Sequence, residues 1–145
     1  MLPLEDAGST VLRSEAMDIQ FPWKGQPLAD LFKTLRDVMK REGGIGLAAP
    51  QVGIPLKLAV IQIGPDYLEL INPKVLKAEG APQVVVEGCL SLPGKEFRIK
   101  RFLRIRGSYQ TRAGDTVVED FSGLWAQAFQ HETQHLYGNL IDSRS

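Results

Sequence analysis

Ser122-Gly123-Leu124-Trp125-Ala126-Gln127-Ala128-Phe129-Gln130-His131-Glu132-Thr133-Gln134-His135-Leu136-Tyr137-Gly138 is the stretch on which the reading of this chain turns. Ser122 is a residue type that caps helix N-termini, and Gly138 is well placed to end the helix as its C′ residue. In a helix between them, Leu124, Ala128, His131 and His135 are spaced four, three and four residues apart and share one face. His131 and His135 are the chain's 2 histidines. Four residues apart on one face, both imidazoles can reach one cation, while Glu132, rotated off that face, can handle protons beside the metal without ligating it. The competing reading is two helical histidines with an incidental Glu. A matched pair bracketing a Glu, with apolar residues on the same face, favours metal binding. Trp125 reads as core.

A catalytic site of this kind wants a third protein ligand and an open position for water. A thermolysin-like site would take a Glu further along, and no Glu follows Glu132. A metzincin-like site would take a third His where Ile141 stands, although Gly138 fits that pattern. The remaining soft ligand is Cys89, the only cysteine, between Gly88 and Leu90. A buried Cys is more often inert packing. In a chain short of one metal ligand, ligation is the favoured reading. A lone Cys with no visible export signal also points to a reducing compartment, hence a cytoplasmic location.

Upstream, Leu28, Leu31, Phe32, Leu35, Val38 and Met39 recur at helical spacing, which predicts a helix of about four turns from Pro27 to Gly43-Gly44. Residues 43–52 are small and non-periodic and read as a loop or irregular edge. Strands are predicted over residues 56–63, 67–71 (ended by Asn72-Pro73) and 83–87. Lys95 to Arg106 and Asp115 to Phe121 are predicted to pair as a hairpin around Arg112-Ala113-Gly114-Asp115. Residues 1–26 carry turn formers such as Gly8-Ser9 and little periodicity. The order helix, strands, helix predicts an α+β fold: antiparallel β-sheets wrapped around a C-terminal metal-binding helix, with one N-terminal helix, in a single catalytic domain over residues 1–145.

Lys plus Arg and Asp plus Glu both number 17, and 43% of residues are hydrophobic. No charge bias points to nucleic acid or an anionic membrane, and no apolar run is long enough to span a bilayer. The basic cluster Arg98 to Arg106 alternates as a strand with one charged, solvated face would, a reading preferred to RNA binding. The Gly44–Gln51 stretch lacks the Lys-Ser/Thr ending of a P-loop. Its small residues suit a substrate backbone passing close by better than a phosphate. Glu87 is either a residue that orients a ligand or a strand-end charge.

Three segments together resemble the peptide deformylase family: Gly44-Ile45-Gly46-Leu47-Ala48-Ala49-Pro50-Gln51, Glu87-Gly88-Cys89-Leu90-Ser91, and Gln130-His131-Glu132-Thr133-Gln134-His135. Their order and spacing also agree, and the resemblance runs over about residues 10–142. It implies a metal-dependent hydrolase that removes the N-formyl group from formyl-methionyl peptides of nascent proteins, with ribosome-associated nascent chains as partners, and releases formate. Cys89, His131 and His135 would ligate one divalent ion, Fe²⁺ in cells, with Zn²⁺, Ni²⁺ or Co²⁺ able to take its place. Glu132 would act as general base and acid. Gln51 and the Leu90 backbone N–H would face the developing oxyanion. Gly46 and Gly88 would pair with the extended substrate, and Ile45 and Ala128 would line a pocket for the methionine side chain. The chain departs from the family's usual Arg near Gln127 and Asp at Gln134, and its Val11-Leu12-Arg13 lacks the usual Pro-Asp. With its short C-terminus it reads as a minimal form. Two other readings stand beside this one: a catalytically silent metal site holding sheets to helix, and a peptidase of another zinc family.

Overall fold

The computed structural model describes Leu4, Val11 and residues 14–138; Gly8-Ser9, Leu12-Arg13, Ile141 and the short C-terminus lie outside them. Over residues 14–138, two helices and seven strands follow in the order α1 (Leu28–Glu42), β1 (Gly46–Ala48), a 3₁₀ turn (Ala49–Val52), β2 (Leu58–Ile63), β3 (Asp66–Glu79), β4 (Gln83–Cys89), β5 (Leu92–Arg101), β6 (Arg104–Gln110), β7 (Thr116–Ser122) and α2 (Gly123–Leu136). The strands form a five-stranded sheet in the order β1-β2-β3-β6-β7 and a separate pair β4-β5, and every pairing is antiparallel. This is the α+β architecture expected.

β2 shows why the helices sit where they do. Leu58, Ala59, Val60 and Ile61 are all 0% exposed, so the strand is covered on both faces. Successive side chains point to opposite faces. Leu58 and Val60 join the α1 stripe of Leu31, Phe32, Leu35 and Met39, whereas Ala59 and Ile61 meet Ala126, Phe129 and Leu136 of α2. Each large side chain buried this way contributes about 1.5–3 kcal/mol. Small residues let α2 come close: a Cβ on Gly107 of β6 would lie 2.7 Å from Phe129 Cζ, and the same ring stacks on Phe121 at 4.8 Å. Trp125 packs at the edge of this cluster, half-buried.

Both helices end close to where the sequence placed them. α1 follows Pro27 and stops at Gly43, which takes φ 72°. α2 follows an extended Ser122, whose side chain makes no capping hydrogen bond, and finishes at Tyr137 with Gly138 at φ 79°.

The strands depart further from expectation. Residues 46–48, within the stretch read as a loop or irregular edge, form an edge strand that pairs with β2 as Gly46↔Ile61 to Ala48↔Ala59, with Leu47 and Ala48 wholly buried. Asn72-Pro73 does not end β3. The register with β6 slips between Ile71 and Lys74, so the missing N–H of Pro73 falls in a bulge rather than in the ladder. Asn72, at φ 50°, accepts from the Ile19 N–H and donates to Ile19 O and Gln110 Oε1. The stretch from Lys95 to Arg106 is two strands. Its first part, β5, pairs with β4, and the hairpin around residues 111–115 is β6 with β7.

Candidate metal centre

β4 alternates so that Val85, Glu87 and Cys89 point inward while Val84, Val86 and Gly88 stay exposed. α2 presents His131, Glu132 and His135 to the same place. Cys89 Sγ lies 3.3 Å from His135 Nε2, and His135 Nε2 lies 3.2 Å from His131 Nε2. The three candidate ligand atoms all fall within 4.8 Å of one another.

Glu87 ties the cluster to the sheet. Its Oε1 accepts from His131 Nδ1 at 2.9 Å, and Arg101 grips both carboxylate oxygens at 2.8 and 2.9 Å. The Nδ1–Glu87 contact turns the His131 ring so that its Nε2 faces His135 and Cys89, which fixes its orientation. Arg101 was expected on a solvated face, but it is 1% exposed. Arg98 and Lys100 do face outward; Arg101 shares the inward parity of Phe97 and Ile99. Glu87 is therefore the orienting residue rather than a strand-end charge. Arg101 is the component that sequence reasoning missed. Its signal was the alternation itself, masked by the assumption that a charged residue faces water.

The groups are electrostatically coupled. Burial alone would raise the Glu87 carboxyl, yet His131 and Arg101 hold it below its ordinary value. Burial opposes charge on His131, but the Cys89 sulfur, Glu87 and Glu132 outweigh it and push the ring up to about 10. Burial also lowers His135 well below the usual histidine value, with the neighbouring His131 and Arg101 charges adding to it. A cluster that draws a positive charge into a buried place, with two imidazole nitrogens facing each other across 3.2 Å, suits a cation. The donor set of one thiolate and two imidazoles fits a divalent transition metal.

Glu132 lies beside these atoms, 4% exposed, and its Oε1 has no hydrogen-bond partner among the described residues. Burial, with the Glu87 charge behind it, pushes its carboxyl up to about 7. Its Oε2 packs against Gly46, where a Cβ would collide with it. Gln51 is fixed at one end by the Ala48 N–H to its Oε1 at 3.0 Å, which turns its Nε2 toward Ser91 Oγ at 3.3 Å and Cys89 Sγ at 3.8 Å. A cavity of about 580 Å³ opens onto the cluster, and its walls include Ile45, Gly46, Gly88, Leu90 and Ala128. All ten residues singled out in the sequence thus border one cavity or the cluster at its base. The arrangement can activate water beside a buried base and hold an extended ligand against two glycines.

Comparison with known proteins bears on this. A model of the polypeptide deformylase family matches residues 1–145. The peptide deformylase of Heliobacterium modesticaldum is 41% identical over 138 residues, covering 94% of this chain and 89% of that one. The structure of peptide deformylase from Thermotoga maritima superposes with a TM-score of 0.88 at 37% identity, covering 99% of this chain and 97% of that one. A class I type b peptide deformylase from Acinetobacter baumannii, solved with Met-Ala-Ser bound, gives a TM-score of 0.93 at 27% identity over 100% of this chain and 98% of that one.

Proposed function

Since this chain belongs to the polypeptide deformylase family, we propose that Cys89, His131 and His135 hold one divalent cation, Fe²⁺ in cells with Zn²⁺, Ni²⁺ or Co²⁺ as substitutes, and that Glu132 is the acid–base group beside it. The enzyme removes the formyl group from formyl-methionyl peptides of nascent proteins and releases formate. The observation that carries the residue assignment is the convergence of three ligand atoms within 4.8 Å, next to a buried carboxylate with an unpaired oxygen.

A formamide is a poor electrophile, so the attacking water must be activated. When bound, the cation supplies Lewis acidity that brings the pKa of water to about 7 in zinc hydrolases. Glu132, with a carboxyl pushed up to about 7, takes the water proton and returns it to the leaving amine. The Gln51 side-chain amide and the Leu90 backbone N–H donate to the developing oxyanion, a contribution worth about 10²–10³ in rate per donor in other enzymes. Gly46 and Gly88 let the peptide backbone run close to β1 and β4, and Ile45 and Ala128 receive the first side chain. Residues 1–145 act as one catalytic domain. Among the described residues no helix is long and apolar enough to cross a membrane; the cytoplasm, and nascent chains on the ribosome, are the proposed setting.

The test combines metal analysis with formate release. Protein loaded with Fe²⁺ under reducing conditions is expected to carry one metal per chain and to release formate from formyl-Met-Ala, while Glu132→Ala keeps the metal and is inert. Cys89→Ala that binds metal as tightly as wild type would remove Cys89 from the ligand set. An inert wild type would end the enzymatic reading.

A further inference from the structure

The cavity extends from the Cys89–His131–His135 cluster along α2 toward that helix's N-terminus. Its wall there is apolar, formed by Ile45, Val86, Leu124 and Ala128. Gln127 interrupts that wall. It stands four residues before His131, one turn away on the same side of α2, and it is half-buried. Its side-chain amide makes no hydrogen bond to any described residue. Two of the deeper polar side chains are already engaged, Gln51 with Ala48 and Ser91 and Glu87 with His131 and Arg101, and Glu132 stands beside the metal cluster. Glu42 and Lys95, charged side chains of the wall, are exposed at its rim.

A half-buried amide on an apolar wall gives up its water when a side chain fills the cavity, and a ligand that supplies an acceptor there recovers that loss. With the formyl carbon beside Glu132, the first side chain of the peptide enters this part of the cavity. A methionine thioether is only a weak acceptor. Methionine sulfoxide has the same unbranched chain and a strongly polar S–O group at the same position.

We propose that Gln127 is a specificity-determining residue that donates to an acceptor at the end of the substrate's first side chain, so that this enzyme also takes peptides beginning with formyl-methionine sulfoxide. The inference rests on the reading above that the first side chain enters this pocket. The reaction is unchanged: the formyl C–N bond is broken, water provides the new C–O bond and the amine proton, and the sulfoxide is not altered.

The experiment measures kcat/KM of the metal-loaded enzyme for formyl-Met(O)-Ala, formyl-Met-Ala and formyl-norleucyl-Ala, the last being apolar and of similar length. Wild type is expected to favour the sulfoxide peptide over the norleucine peptide. In Gln127→Met that ratio is expected to fall about tenfold, the scale of one hydrogen bond lost. Gln127→Glu keeps length and polarity but loses the donors, and the ratio is expected to fall there too. A ratio unchanged in Gln127→Met, or retained in Gln127→Glu, would overturn the proposal while leaving the deformylase activity standing. No formate from formyl-Met-Ala by wild type would instead overturn the reading beneath it.

Discussion

α1 and α2 pack on opposite faces of the same sheet, yet they bury different kinds of residue. The buried positions of α1 are Leu28, Leu31, Phe32, Leu35, Val38 and Met39, all apolar. Those of α2 include Gln130, Glu132, Thr133 and His135. Two of these polar residues are satisfied: Gln130 donates to Phe102 O and Ala126 O, and Thr133 donates to Phe129 O. Glu132 Oε1 and His135 Nδ1 have no partner among the described residues. The first helix serves stability, whereas the second gives some stability up to keep reactive groups dry, the usual trade at an active site.

The contrast can be broken most directly on α1. Leu35, 0% exposed and central to its stripe, belongs to a core cluster that contains none of Cys89, His131, Glu132 and His135. Leu35→Ala is expected to cost about 2–5 kcal/mol in denaturant unfolding, with kcat/KM of the folded enzyme changed no more than about twofold because distant sites act independently. A large loss of activity in folded protein would dissolve the division of labour. Arg101 sharpens the comparison from the other side, since it supports α2 through Glu87 and His131. Arg101→Met is expected to weaken metal binding about 10–100-fold, as loss of groups supporting metal-ligating histidines does elsewhere. Competition titration against a chelating dye would measure this, and unchanged affinity would make Arg101 merely structural.

The smallest effect concerns pH. The Glu132 carboxyl rises from its ordinary 4.5 to about 7 in the folded chain. A raised carboxyl binds its proton more tightly folded than unfolded. Its contribution to stability is therefore complete below about pH 4.5 and lost as pH climbs through about 7. Metal-free protein should lose stability over that window, and Glu132→Gln should flatten the loss. Equal slopes in the two proteins would show that Glu132 ionises without penalty.

Much of this was legible in the sequence, for reasons that differ between elements. α1 was readable from its unbroken stripe and its Pro27 and Gly43 punctuation, because packing alone specifies it. α2 was readable because two histidines bracket a Glu at a spacing that only a helix makes useful. β3 was misjudged because Asn72-Pro73 is a local stop signal, and the bulge that absorbs it depends on Ile19 and Gln110, each 38 or more residues away. Arg101 was misplaced for the same kind of reason. Its partner Glu87 lies 14 residues upstream on another strand, so nothing near Arg101 reveals that its charge is met.

The separation of the two sheets has a mechanical side. β4 and β5 share no ladder with the five-stranded sheet, and Cys89 belongs to the pair while both histidines ride on the helix packed against the larger sheet. A cation gripped from both sides is then a clasp across the seam, joining positions 46 residues apart. An ion that made the site reactive would also draw the cavity's two walls together, so emptying the site would silence the reaction and slacken the cleft at one stroke.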